Sequence, residues 1–176
     1  VNGSASGSLV GRAMGAALLN VDTYEAVEAD RSATAQAGIV VGIVAIASAI
    51  GASGSGAGGM VGAIVSAFVG WLIWAGVTNL VGTKLFGGTA DWGELLRTLG
   101  FAQAPGVLLV LGVIPILGFL VNVVVGIWVL IAGIVAIRQA LDFGTGKAIL
   151  TAVVSLILVV IARVVIETIF GVGALI

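Results

Sequence analysis

Apolar and polar positions along this chain segregate into five long apolar runs joined by short polar connections, with neither a strand's period of two nor the stripe of a surface helix. The first run, from about Thr34 to Ala52, has no charged side chain. As a helix rising 1.5 Å per residue it covers about 28 Å, close to the roughly 30 Å hydrocarbon core of a bilayer. A Gly/Ser turn from Ala52 to Gly59 leads to the second run, about Met60 to Gly82, which holds Trp71 and Trp74. The third extends from about Leu99 to Ile114 and contains Pro105, whose missing N–H frees the carbonyl of Phe101 and predicts a kink there. Pro115 ends it. After an uncharged turn the fourth covers Leu117 to Ile137, and the fifth covers Ala148 to Phe170. The pattern predicts an all-α polytopic membrane protein, a bundle of five transmembrane helices.

Residues 1–33 precede the first run and hold six of the charged side chains. The expected division is therefore a cytoplasmic or interfacial N-terminal segment, 1–33, and a transmembrane domain, 34–176. No apolar core follows a basic start, which argues against a signal peptide. Asp22 and Glu25 have capping-box spacing for a short helix through Tyr24 and Val27. Arg12 lies among Leu9, Val10, Ala13, Ala17 and Leu18, a weakly amphipathic stretch suited to a membrane surface. A flexible tail is the competing expectation. Asp91 and Glu94 repeat the capping-box spacing before the third run.

Charge sets the orientation. Seven basic and eight acidic residues make up only 9% of the chain against 60% hydrophobic residues, whereas about a quarter of a soluble domain is charged. Arg12 and Arg31 precede the first span, Lys84 and Arg97 join spans two and three, and Arg138 and Lys147 join spans four and five. The opposite connections have none. The positive-inside rule then puts the N-terminus in the cytoplasm and the C-terminus outside, with the protein crossing a cell's inner membrane several times. A net charge of −1 gives no surface for nucleic acid, and the lack of histidine and cysteine removes the usual ligands of zinc, copper, haem and iron–sulfur clusters. No cofactor or metal is expected.

Small residues mark the candidate packing faces. Gly54, Gly58, Gly62, Ser66 and Gly70 recur every fourth residue on the second span, Gly38 and Gly42 on the first, and Gly118, Asn122 and Gly126 on the fourth. Such faces let helix backbones approach. Packing within this chain is the first expectation for them, and a seam with a second copy or another membrane protein is the alternative. Asn122 is expected to hydrogen-bond across helices, and Asn79 and Gln103 to sit nearer the cytoplasmic ends of their spans. Arg163 and Glu167, one turn apart, are the only ionisable pair inside a span; an interfacial ion pair is the expected role. Gly144 to Lys147 do not complete a phosphate loop, because Leu141 and Ala148 replace the required glycine and hydroxyl, so Gly144 reads as a helix-end glycine. At an offset of 57 residues, Trp71, Ala75, Gly76, Phe86 and Gly87 recur as Trp128, Ala132, Gly133, Phe143 and Gly144, a possible pair of repeated hairpins.

From Gly82 to Ala104 the chain reads G-T-K-L-F-G-G-T-A-D-W-G-E-L-L-R-T-L-G-F-A-Q-A, then Pro105, and from Ile127 it reads I-W-V-L-I-A-G-I-V-A-I-R-Q-A-L-D-F-G-T-G-K-A-I-L. With the segment from Arg12 to Ala37, these stretches resemble the bacterial branch of the Yip1 domain family. The resemblance implies five spans and a cytoplasmic N-terminus. Eukaryotic members bind prenylated Rab-type GTPases in vesicle traffic, using a D-L-Y-G-P-like and a G-Y-x-x-x-P-like motif. Gly100, Phe101 and Pro105 match the second, with Phe in place of Tyr, while Asp22 and Tyr24 only loosely echo the first, without its Gly-Pro. A bacterium offers no prenylated Rab. The implied role is a helical scaffold that binds protein or lipid in the membrane.

The expected function is therefore that of a non-enzymatic scaffold or accessory subunit, partnered by the lipid bilayer and by other membrane proteins or a second copy. A solute or ion transporter using Asn122, Arg163 and Glu167 is the alternative; pigment binding and intramembrane catalysis are weaker, for want of ligands and catalytic groups. A reporter fused after Ile176 is expected to be active only outside the cytoplasm; cytosolic activity would reverse the topology.

Overall fold

The computed structural model describes residues 7–52, 56–114 and 117–170, which among themselves form helices and no strand. Helix α1 covers Leu9–Ala17 and α2 Val21–Ala29. The membrane-length helices are α3 (Ala33–Gly51), α4 (Gly56–Leu80), α6 (Leu117–Ala140) and α7 (Thr145–Phe170). One π-helical turn, Val81–Leu85, extends α4. Between α4 and α6 the third span is composite: α5 (Trp92–Ala102) passes into a 3₁₀ segment, Ala104–Val113. Five stretches are thus long and apolar enough to cross a membrane, as the hydrophobic pattern predicts.

The third span departs most from expectation. It begins at Trp92 rather than Leu99, and half of it is buried inside the protein, against a third or less of each other span. Sixteen α-helical residues from Leu99 would reach only about 24 Å. Starting at Trp92 and stretching ten residues into a 3₁₀ coil, at about 2.0 Å per residue, gives the span about 36 Å. Pro105, at the start of the 3₁₀ segment, removes one α-helical donor, and Gly106 N–H then bonds the Gln103 carbonyl at 2.7 Å. Asp91 caps α5 as expected: its side chain accepts from Glu94 N–H at 2.7 Å, and Glu94 accepts from Asp91 N–H at 2.8 Å.

Three glycines seat the 3₁₀ segment against α3. A Cβ on Gly51 would collide with the Leu109 carbonyl, one on Gly112 would lie 3.1 Å from the Gly51 oxygen, and one on Gly106 would lie 2.5 Å from Val44 Cγ1. Gly118, at the start of α6, also approaches this backbone, where a Cβ would lie 2.9 Å from the Gly112 oxygen. None of these but Gly118 belongs to a four-residue series, so spacing alone does not reveal the others.

Residues 7–33 form structure packed on the spans and are not a flexible tail. α1 and α2 form a hairpin packed on α5 and α6, with Tyr24 and Val27 fully buried. Ser8 caps α1, and Asn20 caps α2 by accepting from Thr23 N–H at 3.0 Å, so Asp22 lies in the first turn and is not the cap predicted for it. All four terminal carbonyls of α1 are paired. Met14 accepts from Leu18, Gly15 from Asn20, Ala16 from both Leu19 N–H and the Tyr24 hydroxyl, and Ala17 from the Trp128 indole at 2.7 Å. Leu19, at φ 61°, adopts the left-handed conformation that closes this end as a Schellman turn. Asp142, at φ 54°, closes α6 in the same way, so the helix-end role expected of Gly144 belongs to Asp142.

Charged connections gather at one end of the bundle. Gln139 donates to Glu25 at 3.0 Å, Thr89 to Asp142 at 2.7 Å, and Lys147 to the Phe86 carbonyl at 3.3 Å. Leu141 packs into the spaces left by Gly82 and Gly88. Gly51→Ala is expected to destabilise the chain by about 1–3 kcal/mol, because a backbone carbonyl cannot yield to the new methyl. Gly62→Ala, whose Cβ meets nothing within 4 Å, leaves stability within about 0.5 kcal/mol. Thermal unfolding in detergent distinguishes the two.

Candidate interaction surfaces

Two features carry the polar and the packing chemistry: a latch at the charged end and the small-residue faces of the spans. The latch centres on two buried arginines. Arg12 of α1 pairs with Asp30 at 2.6 Å and donates to Gln36 at 3.1 Å, joining α1 to the α2–α3 connection. Ser32 bonds the same carboxylate through its hydroxyl at 2.6 Å and its N–H at 2.9 Å. These Ser32 bonds first, and Arg12 second, lower the Asp30 carboxyl to about 2.

Arg97 was expected in a polar connection, but it lies in α5 and is 5% exposed. Its guanidinium donates to the Val27 carbonyl at 3.2 Å and twice to that of Glu28, at 3.1 and 2.5 Å. It thereby satisfies carbonyls of the last turn of α2 and places positive charge at the negative end of that helix. Its partner Glu28 lies 69 residues away in the chain, beyond the reach of any local sequence pattern.

Glu28 faces other carboxylates. Burial raises its carboxyl to about 7, the nearby Glu94 and Asp142 push the same way, Arg97 opposes them, and Glu25 adds a smaller push. Among the described residues these acids do not converge as a metal site.

The small-residue faces differ from one another. Gly38 and Gly42 receive the rings of Phe68 and Trp71, each at 3.6–4.0 Å from a built Cβ. Those two rings meet edge to face at 6.2 Å. On α4, by contrast, Gly62 and Gly70 have nothing within 4 Å, and neither has Gly126 on α6. Intrachain packing is therefore not made at these three positions. Gly58 falls in α4, while its surroundings, and Gly54, lie outside the described residues; Ser66 lines a cleft beside Gly70. Asn122 is exposed and donates to the Gly118 carbonyl of its own helix at 2.7 Å rather than across helices. Arg163 and Glu167 fall on the last turns of α7, and their side chains lie outside the described residues. Of the repeated residues, Trp71 donates to the Leu96 carbonyl at 3.0 Å and Trp128 to that of Ala17, while only Gly87 of the two turn glycines has positive φ.

Residues 15–166 match the sequence model of the Yip1 domain. The chain belongs to the Yip1 domain family. No curated protein and no solved structure matches it. In this Yip1 domain, Gly100, Phe101 and Pro105 stand where α5 gives way to the 3₁₀ segment, all three buried. A Cβ on Gly100 would lie 2.7 Å from Ala37 Cβ and 3.2 Å from the Trp71 ring, so this residue sets the approach of α5 to α3 and α4. The three residues therefore act in the framework as a glycine contact, a buried ring and a helix break.

Glu28 makes the latch pH-dependent. Its folded value, near 7, exceeds its ordinary 4.5, so its favourable contribution is complete below pH 4.5 and is lost as pH rises through 7. Amide exchange across Val21–Ala29, corrected for intrinsic rate, is expected to show protection falling over that window, and Glu28→Gln to flatten the dependence. The Asp30 contribution changes only at lower pH, as its carboxylate protonates.

Proposed function

We propose that this Yip1-domain chain is a non-enzymatic scaffold or accessory subunit that joins other membrane proteins, or a second copy, through its small-residue faces. The supporting observation is the bare face of α4 at Gly62, which meets no described residue within 4 Å, while tight intrachain contacts use Gly51, Gly106, Gly112 and Gly118. A bundle that needed this glycine for its own packing would have filled it. In this reading the protein belongs to a bacterial inner membrane, the charged end with the α1–α2 hairpin faces the cytoplasm, and residues 1–33 form the interfacial segment. Gly58 and Asn122 extend the proposed contact surface, and Arg163 with Glu167 anchors the opposite interface.

A lipid-facing role for α1 fits its exposed Val10, Met14 and Leu18, a stripe at four-residue spacing on the outer side of the hairpin. Solute transport is the second reading, favoured by the broken third span, since irregular backbone at membrane depth accompanies transport paths.

Replacement of Gly62 by leucine tests the scaffold reading. In native membranes solubilised with lipid retained, the variant is expected to migrate as a smaller assembly than the parent, with unchanged thermal stability of the chain itself. Migration identical to the parent, or a parent that is already a lone monomer, would sink it; solute flux by the purified protein in vesicles would favour transport.

A further inference from the structure

The third span begins seven residues earlier than its hydrophobic pattern predicts, which moves Gln103 inward. It stands eleven residues beyond Trp92, about 17 Å along the helix, and shares the level of Val44 in α3. There it lines a cleft of about 430 Å³ whose walls come from α3, α4, α6 and the 3₁₀ segment, among them Val44, Ser48, Gly70, Trp71 and Trp74. Val44 and Trp74 lie comparably deep in their own helices, eleven residues from the start of α3 and eleven before Leu85 at the end of the π turn.

Most of the lining is apolar, and no charged side chain contributes to it. The Trp71 N–H is taken by the Leu96 carbonyl, which leaves that residue its ring. Neither the Gln103 amide nor the Trp74 indole N–H hydrogen-bonds to any described residue, so three N–H donors and one carbonyl acceptor within the spans have no partner among them. An unpaired amide in hydrocarbon is costly. A phospholipid tail would fill the space but leave the amide unpaired. A charged solute would find no counter-ion. The size falls in the usual range for small-molecule sites between helices.

We propose that this cleft binds an uncharged, lipid-soluble ring compound with a carbonyl or hydroxyl, of the quinone type, its polar group paired with Gln103 and its ring against Trp71 and Trp74. The break between α5 and the 3₁₀ segment is what turns residue 103 toward the bundle interior at this level. The site is independent of the outward stripe at Gly62, and a chain that assembles with partners can hold such a ligand or lack it.

Decylubiquinone, titrated into the full chain in lipid nanodiscs, is the test, with tryptophan emission as the readout. Saturable quenching is expected, and decylbenzene, which has no carbonyl, is expected neither to quench nor to displace the quinone. Gln103→Leu is expected to weaken binding about tenfold, the loss of one hydrogen bond in a dry site. Gly70→Leu, which fills the cleft from the opposite wall, is expected to abolish saturation and serves if the first variant loses helical structure. Quenching that rises linearly with the quinone's share of the lipid, or that is equally saturable in both variants, overturns the proposal.

Discussion

Backbone polar groups must find partners inside the protein wherever lipid replaces water, and most of what is particular to this bundle follows from that requirement. Pro105 breaks the third helix at membrane depth, and the freed chain tightens into a 3₁₀ coil that stays bonded to itself. Such a coil is thin and irregular, so it must be covered. Gly51, Gly106 and Gly112 bring α3 onto it closely enough that a methyl on Gly51 would strike the Leu109 carbonyl. Gly100, Phe101 and Pro105 are then parts of one arrangement: a close approach to α3, a ring that fills the interior, and the break itself.

The same requirement governs the N-terminal hairpin. The end of α1 sits against α6 at Trp128, twelve residues from Ala140, and each of its last four carbonyls is bonded. Arg97 does for α2 what Tyr24 and Trp128 do for α1. Thus two side chains that look like membrane-interface anchors in isolation, an arginine and a tryptophan, act instead as donors to helix ends. Helices α1 and α2 are integrated with spans three and four, and the family match, starting at residue 15, includes all but the first turns of α1.

Hydrophobic periodicity revealed the five spans because a 19-residue uncharged run such as Ala33–Gly51 admits few other structures. It located the ends of four spans within about four residues and missed the third by seven. That error has a physical cause: the first two turns of α5 contain Asp91, Glu94 and Arg97 near them, and a hydropathy pattern discards charged residues whose partners are remote. The Asp91 capping box was legible, since its bonds are local. Asn20 was overlooked as a cap because Asp22 offered the same spacing two residues later. Four-residue glycine spacing identified where backbones are bare but not what covers them: Gly38 and Gly42 are filled by rings, Gly62 and Gly70 are open, and the tightest contact, at Gly51, belongs to no series.

Coil type also sets reach. Ten residues in the 3₁₀ form extend about 20 Å, and the same ten as an α-helix about 15 Å. The 22-residue third span thereby covers about 36 Å, as the 24 residues of α6 do in the α form, and its far end meets Gly51 and Gly118. Wound as an α-helix throughout, the same residues would stop about 5 Å short, and the start of α6 would have to follow them inward.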